Sequence, residues 1–413
     1  MFLKVPINIV LLGLLLFTNT IMPYLYIMGV PLKALIVASI TLMVVLQRSF
    51  RIRREQYWYI LFYITIVAIL FIKEILYGGW ISTLNNNMIL GLVIMLLIPC
   101  AIKKQKQIHT LATIIIFATA FNSLVSFMEY LNYEQVLSLK NVLYSFSIMG
   151  LDTIHGYSEY TFRYAGLHSS IFGFSYALAV ALPLTFSRII YDRKHKTIYI
   201  VLFIIVSIGL LVSAARSAIL AAIIGIMVIF FSKRGGKLKV VPVSIVLVLA
   251  ISFAIGLISS TSAQFIMDIF AGNDVRITLW TDLINLSFNN ILLGIEMSYS
   301  DTIMAYGLDA HIYGNSVVAP HNSLLNALIR YGIIGFIGYI ILIWINIKEY
   351  FTYRKSGIIL SEDSIYYVIL LSYFLNSLFH NASIFTNIDA WVYLGMKSSI
   401  LQYRIHSYRN IQV

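Results

Sequence analysis

Long apolar runs separated by short basic clusters constrain the fold of this chain more than any other feature. Runs such as 7–28 and 111–130 reach the length of about 20 residues that a helix needs to cross about 30 Å of hydrocarbon. Of the 413 residues, 60% are hydrophobic and only 11% are charged, a balance that excludes a soluble globular domain. The sequence therefore predicts an all-α, polytopic integral membrane protein with a single transmembrane domain, 1–413.

The apolar runs predict about 12 transmembrane helices. Their expected limits are 7–28, 32–46, 57–72, 88–102, 111–130, 167–186, 198–211, 218–231, 240–257, 324–347, 364–378 and 390–405. The first run is interpreted as a retained span, because no small-residue cleavage site closes it and a second span follows directly. The longest connection, 259–319, lies between the ninth and tenth spans and is expected to form a large outer loop with short amphipathic helices.

The net charge of +12 would suit a nucleic-acid-binding protein, but the positions of the basic residues argue against nucleic acid. They form clusters at 48–54, 103–106, 193–196 and 233–239, which is typical of cytoplasmic loops. Twelve spans with both termini in the cytoplasm place every cluster on that side. The basic residues left outside are few: Lys33, Lys73, Lys140, Arg163, Arg216, Arg276 and Arg330.

Metal and cofactor sites are not predicted. The single cysteine, Cys100, excludes an intramolecular disulfide and a cysteine-based metal cluster. The outer histidines show no metal-ligand spacing. The sequence is therefore interpreted as metal-independent, with no cofactor.

The run that begins at Pro320 carries the main catalytic candidate, His321. Pro320 suits a helix entry, and Asn322 or Ser323 can accept hydrogen bonds from the first free N–H groups. The helix dipole disfavours a second positive charge there, so the imidazole should stay neutral and basic. His321 is thus expected to act as a general base beside an anion-binding site. The alternative is that His321 is only an interfacial cap.

The outer arginines are candidates for binding an anion. Arg216 lies among alanines and serines between two short spans, where it faces either a ligand or simply the interface. Arg276 opens a run of helical periodicity with Trp280 as an interfacial residue, or belongs to a plain surface helix. Arg163 and Arg330 are weaker candidates for the same role.

Acceptor or sugar binding is assigned to two polar residues of the outer side. Asp274 belongs to a group of acids in the large loop that can bind sugar hydroxyls or supply a base, the alternative being a solvated loop face. Asn322 follows the candidate base His321 directly.

Several of these motifs resemble a known family. The run Pro320-His321-Asn322-Ser323-Leu324-Leu325, with Gly332 and Gly335 after it, resembles the histidine motif of the O-antigen polymerase (Wzy-type) and O-antigen ligase superfamily. Residues 213–218 resemble its arginine motif. Arg276 with Trp280 and Gly294 is similar to its loop arginine segment, and 163–173 to the segment before its mid-chain span. The resemblance covers roughly residues 160–345.

The resemblance implies a metal-independent glycosyltransferase in the bacterial cytoplasmic (inner) membrane with its active site facing the periplasm. Its donor would be a glycan on undecaprenyl diphosphate. His321 would activate the acceptor hydroxyl, and Arg216 and Arg276 would hold the departing diphosphate, a role that suits guanidinium groups. The expected partners are this lipid-linked glycan and the bilayer; a chain-length regulator is left open.

Three functions compete at this point. A polymerase would join lipid-linked repeat units, a ligase would transfer the glycan to lipid A–core, and a flippase or transporter would move the lipid-linked glycan without chemistry. The sequence shows no internal repeat, and its outer arginines gather near one surface, which favours an enzyme over a transporter. The motif match favours the polymerase.

Overall fold

The computed structural model describes residues 6–23, 25–27, 29–77, 86–144, 164–168, 171–232, 280–281, 283–285, 287–294, 322–379 and 387–412. The fold within these ranges is almost entirely helical, as predicted. The helices are α1 (Ile7–Ile21), α2 (Leu32–Leu46), α3 (Tyr57–Tyr77), α4 (Asn86–Ala101), α5 (Gln105–Tyr130), α6 (Glu134–Tyr144), α7 (Ile171–Tyr191), α8 (Lys196–Ser213), α9 (Arg216–Ser232), α10 (Ser323–Lys355), α11 (Ile365–Ser377) and α12 (Ile388–Gln412).

Among the described residues, five helices are long and apolar enough to cross a membrane: α3, α5, α7, α8 and α10. Helices α1, α2, α4 and α9 are also apolar but shorter. These lengths and compositions fit a polytopic membrane protein. The predicted ninth span, 240–257, and the large loop, 259–319, lie outside the described residues except for 280–281, 283–285 and 287–294.

The prediction for the first span was wrong at its C-terminal end. Helix α1 stops at Ile21, and two short strands, β1 (Tyr26–Ile27) and β2 (Val30–Pro31), pair antiparallel before α2 begins. Pro23 follows the helix end closely, and a proline has no N–H with which to continue the helical hydrogen bonds. Hydropathy alone cannot detect this stop, because the residues after it are still apolar.

Helices α11 and α12 form the centre of the bundle. α11 packs against α7, α9, α10 and α12, while α12 packs against α4. Most side chains of α11, and of α12 between Ala390 and Leu401, are buried. By contrast α3 and α10 expose large apolar residues such as Leu61, Phe71 and Trp344. Such an outer face suits contact with lipid tails better than contact with water.

The described basic clusters, 48–54, 103–106 and 193–196, gather at one end of the bundle. Here Arg188 donates to the ring and the carbonyl oxygen of His109, and Arg404 binds Glu362 and Asp363. The N-terminal end of α1 reaches the same end, because the Asn8 amide donates to the carbonyl of Ala101. Both described termini therefore lie on the side that carries the basic clusters, which we call the basic end.

Helices α9 and α10 run in the same direction. Arg354, near the C-terminus of α10, donates to the carbonyl of Ser232, the last residue of α9, at 2.7 Å. The hydroxyl groups of Ser232 and Tyr350 lie 2.8 Å apart. Because these contacts join the two C-terminal ends, the N-termini of both helices point to the opposite end of the bundle, the outer end. The end of α9 and the start of α10 therefore lie at opposite ends of the bundle, and the predicted ninth span between them, 240–257, lies outside the described residues.

Candidate functional site

Arg216 begins helix α9 directly after a tight turn. Helix α8 ends at Ser213, and Ala214 adopts φ 50° and ψ 29°, a left-handed conformation in which a small side chain is least crowded. Ala215 is buried, whereas Arg216 is exposed. The predicted turn between the seventh and eighth spans is confirmed, and the turn presents Arg216 at the outer end of the bundle.

Asn322 caps helix α10. Its side-chain oxygen accepts hydrogen bonds from the backbone N–H groups of Leu324 at 3.0 Å and Leu325 at 3.1 Å. Of the two residues that the sequence indicates as possible caps, Asn322 and Ser323, the structure uses Asn322. His321 precedes the cap in the chain but lies outside the described residues. The cap fixes where α10 starts.

Helix α10 is broken at Gly332. This glycine has φ 63° and ψ −166°, so the helix consists of a short outer piece, 323–331, and a long piece that continues to Lys355. The outer piece carries Asn326 and Arg330 on one face, four residues apart. Asn326 is buried and Arg330 is half-buried. The break was not predicted, since the sequence indicates one continuous span at 324–347.

The described part of the large loop packs onto this break. The N–H of Ile333 donates to the carbonyl of Ile291 at 2.7 Å instead of continuing the helix. Gly294, with φ 79°, faces Gly332 so closely that a Cβ atom on Gly294 would lie 2.7 Å from the Gly332 nitrogen. A Cβ atom on Gly332 would in turn overlap the carbonyl of Leu292. Both glycines are therefore required by backbone conformation and by space.

This contact joins two of the motifs found in the sequence. Gly294 closes the loop arginine segment that starts at Arg276, and Gly332 follows the histidine motif in α10. The structure thus holds the end of one motif against the helix that the other motif begins. Arg276 and Asp274 themselves lie outside the described residues.

Lys73 supports the break from the α3 side. Its side chain is fully buried, and its ammonium group donates to the carbonyl of Arg330 at 2.6 Å. In an unbroken helix that carbonyl would accept the N–H four residues on, but the break at Gly332 diverts the backbone. The lysine therefore satisfies an acceptor that the kink exposes.

A second polar cluster fixes the segment before α7. Asn122 of α5 donates to the carbonyl of Ala165 at 3.0 Å and accepts from the N–H of Leu167 at 2.7 Å. Glu129 accepts from the N–H of Gly166 at 3.0 Å and forms a buried ion pair with Lys140. These contacts hold residues 164–168 against α5. Arg163 adjoins this segment in the chain and lies outside the described residues.

The outer ends of the central helices also share polar contacts. The hydroxyl groups of Ser323 and Ser377 lie 2.8 Å apart, and Asn376 donates to Ser175 at 3.0 Å. These contacts place the starts of α10 and α7 beside the end of α11. Helix α9 packs against both α7 and α11. Arg216 and Asn322 therefore belong to one end of the bundle, on two helices that flank α11.

Two functional supports were missed by reasoning from sequence. Lys73 was recognised as an outer basic residue but was given no role, although a lysine in an apolar run is itself a signal of a specific partner. The Glu129–Lys140 pair carried no comparable signal, because Lys140 lies between the predicted spans 111–130 and 167–186, where a charged residue is ordinary. Both groups hold backbone next to predicted site residues rather than facing a ligand directly.

Comparison with known proteins agrees with the motifs. A family model described as O-antigen ligase matches residues 201–340. The matched segment contains Arg216, Arg276, Gly294, His321 and Gly332. No relative among the curated proteins matches the chain. The chain is thus a helical membrane protein whose residues 201–340 are similar to the O-antigen ligase family, and this match confirms the resemblance to the O-antigen polymerase and ligase superfamily.

Proposed function

We propose that the protein is an O-antigen, or surface-polysaccharide, polymerase that joins undecaprenyl-diphosphate-linked repeat units at the periplasmic face of the inner membrane. The observation that carries this proposal is the contact between Gly294 and Gly332 inside the family-matched segment. It brings the loop segment that follows Arg276 to the helix that follows His321. The shared outer end of α9 and α10 supports adding Arg216 to the same site.

In the proposed reaction, His321 accepts the proton of an acceptor hydroxyl as its oxygen attacks the anomeric carbon of the donor sugar. The bond between that carbon and the diphosphate oxygen breaks, and the lipid diphosphate leaves with the electron pair. Arg216 and Arg276 stabilise its growing negative charge through paired N–H donors. Arg163 and Arg330 are proposed as further cationic contacts, and no metal ion is needed in this scheme.

The proposed roles of the acceptor-side residues differ in their support. Asn322 uses its side-chain oxygen to cap α10, so any contact with a sugar would come from its amide nitrogen. Asp274 is proposed as a sugar ligand from its place in the loop sequence. A chain-length regulator remains a further proposed partner.

The ligase is the second candidate function, because the description of the matching family names that activity. Both enzymes would use the same donor and the same leaving group. They differ only in the acceptor, which is another lipid-linked repeat unit for the polymerase and lipid A–core for the ligase. A flippase would need neither His321 nor an acceptor.

The deciding experiment is deletion of the gene followed by gel analysis of lipopolysaccharide and of lipid-linked glycans. A core with one repeat unit supports the polymerase. A bare core with accumulated lipid-linked polymer supports the ligase, and a bare core with lipid-linked single units on the cytoplasmic side supports a flippase. Complementation with His321→Ala should reproduce the deletion while the protein stays in the membrane. Normal chain lengths with this variant would overturn the catalytic role.

A further inference from the structure

A cavity of about 440 Å³ opens at the basic end of the bundle, opposite the outer end that carries the proposed active site. Three separate parts of the chain line it: 47–53 after α2, 99–108 between α4 and α5, and 399–406 of α12. Its basic side chains are Arg48, Arg51, Arg53, Lys103, Lys104 and His406. None of the described residues that line it is acidic.

Within the described ranges, no carboxylate forms an ion pair with the cations that line this cavity, although Glu55 lies two residues from Arg53 in the chain. Glu362 and Asp363 lie at the same end, but both are bound to Arg404 at 2.7 Å. The Nε atom of Arg53 is buried and has no hydrogen-bond partner within the described ranges. Repulsion between several cations in one cavity raises the electrostatic free energy unless an anion binds among them. The cavity is therefore suited to a ligand with two or more negative oxygens, such as a phosphate group.

The arginine segment, 48–53, carries three of the cavity's basic side chains and is held in place by backbone contacts. Helix α2 ends at Leu46, and Arg48 adopts φ 49°, which turns the chain back. The N–H of Arg51 then donates to the sulfur of Cys100 at 3.4 Å. Gln56 accepts from the N–H of Arg53 at 2.9 Å and donates to the carbonyl of Met95 at 3.0 Å. The arginine segment is thus fixed against the end of α4.

The surroundings favour a phosphate that carries acyl chains over a free phosphate. Exposed apolar residues alternate with the arginines of the arginine segment. They are Leu46, Phe50 and Ile52, which are 72%, 46% and 43% exposed. Apolar side chains next to a basic hollow at the end of membrane-crossing helices suit the interfacial region of a bilayer. Pro99, Ile102 and Ile108 add an apolar floor.

We propose that this cavity binds the phosphate headgroup of an anionic lipid, which then joins α2, α4 and α12 at the basic end. The site is separate from the proposed transferase site and does not depend on it. Its function would be to hold three helices together through one shared anion.

The test uses the full-length protein purified in a neutral detergent. Binding of phosphatidylglycerol, of phosphatidylcholine and of inorganic phosphate is measured by native mass spectrometry and by the rise in Tm. The wild type should bind phosphatidylglycerol in preference to the other two. The triple variant Arg51→Gln, Arg53→Gln and Lys103→Gln should bind phosphatidylglycerol roughly 100-fold more weakly, about fivefold for each lost charge.

The matched control removes three exposed basic residues from the same end that do not line the cavity, as Arg193→Gln, Lys194→Gln and Lys196→Gln. It should bind like the wild type. Gln402→Trp fills the cavity at constant charge and should also weaken binding, which separates lost binding from a folding defect in the triple variant. Equal losses in cavity and control variants, unchanged binding with Gln402→Trp, or equal binding of phosphatidylcholine or inorganic phosphate would overturn the proposal.

Discussion

The ammonium group of Lys73 donates to the carbonyl of Arg330 at 2.6 Å, just before the break of α10 at Gly332. Lys73 belongs to α3 and Arg330 to α10, so this bond ties two membrane helices at the point where the second one bends. The bend is also where residues 288–294 rest. The backbone of the proposed site therefore depends on the Arg330 carbonyl and its buried donor, Lys73, in addition to the predicted ligand residues.

Replacing Lys73 with methionine should destabilise the protein. The change keeps an apolar chain of similar length but leaves the Arg330 carbonyl without this donor, at a cost of about 1–3 kcal/mol. Thermal unfolding in detergent measures the loss. Lys106→Met, at an exposed position of the basic end, is the control and should leave Tm unchanged. Equal Tm values for the two variants would show that the bond contributes no stability.

Gly332→Ala should be far more harmful than an alanine at another glycine with positive φ. Both Gly332 and Gly357 have positive φ, but a Cβ atom at Gly357 meets nothing within 4 Å, whereas one at Gly332 overlaps the Leu292 carbonyl. Gly357→Ala should cost about 1–2 kcal/mol from conformation alone. Gly332→Ala should cost roughly 3 kcal/mol or more and abolish glycan extension. Similar Tm and chain lengths for both variants would contradict the packing of 288–294 on α10.

The Glu129–Lys140 pair should behave as a unit. Both side chains are at most 5% exposed, so Glu129→Gln alone leaves a buried ammonium uncompensated and should cost about 3–5 kcal/mol. Adding Lys140→Met should recover most of that loss. Asp192→Asn, in the exposed pair with His195, should cost less than about 1 kcal/mol. Thermal unfolding of the wild type, Glu129→Gln, Lys140→Met, the double variant and Asp192→Asn checks this, and additive losses in the double variant would argue against coupling.

Asn322 allows its capping role to be separated from a sugar-binding role. Asn322→Ala should destabilise α10 by about 1 kcal/mol, whereas Asn322→Asp keeps a capping oxygen and should preserve Tm. If the amide nitrogen also binds the acceptor, the aspartate variant should still make shorter glycan chains. Full chain length with Asn322→Asp would restrict this residue to capping.

Arg216→Lys tests whether a guanidinium fork is needed at the start of α9. Lysine keeps the charge but loses the paired donors, so transfer should fall roughly tenfold or more. Lipopolysaccharide gels of a complemented deletion strain measure the effect, with immunoblots to confirm equal protein in the membrane. Arg193→Lys, in an exposed position at the basic end, should have no effect. Unchanged chains with Arg216→Lys would show that positive charge alone is sufficient.

The sequence predicted the parts of the fold that depend on apolar length. Span 32–46 coincides with α2. Four further spans match their helices to within two residues at both ends: 88–102, 198–211, 218–231 and 364–378. Stops and bends were harder to predict, because they depend on a single residue such as Pro23 or on a backbone angle such as φ at Gly332. Neither changes the hydropathy of the surrounding run.

For the candidate site, the sequence identified the cap at Asn322 and the turn before Arg216. It did not identify partners that are far apart in the chain. Lys73 and Arg330 are 257 positions apart in the chain, and no local sequence pattern predicts a hydrogen bond between residues so far apart. The roles of His321, Arg276, Arg163 and Asp274 stay predictions, since these residues lie outside the described part of the chain.

Because α9 and α10 run in the same direction, the segment that connects them has a minimum length. Ser232 lies at the basic end and Asn322 at the outer end, so the chain between them joins opposite ends of the bundle. The sequence predicts that 240–257 makes this crossing as a helix, which satisfies its own backbone hydrogen bonds inside hydrocarbon. We therefore expect internal deletions between α9 and α10 to be tolerated only where they spare 240–257.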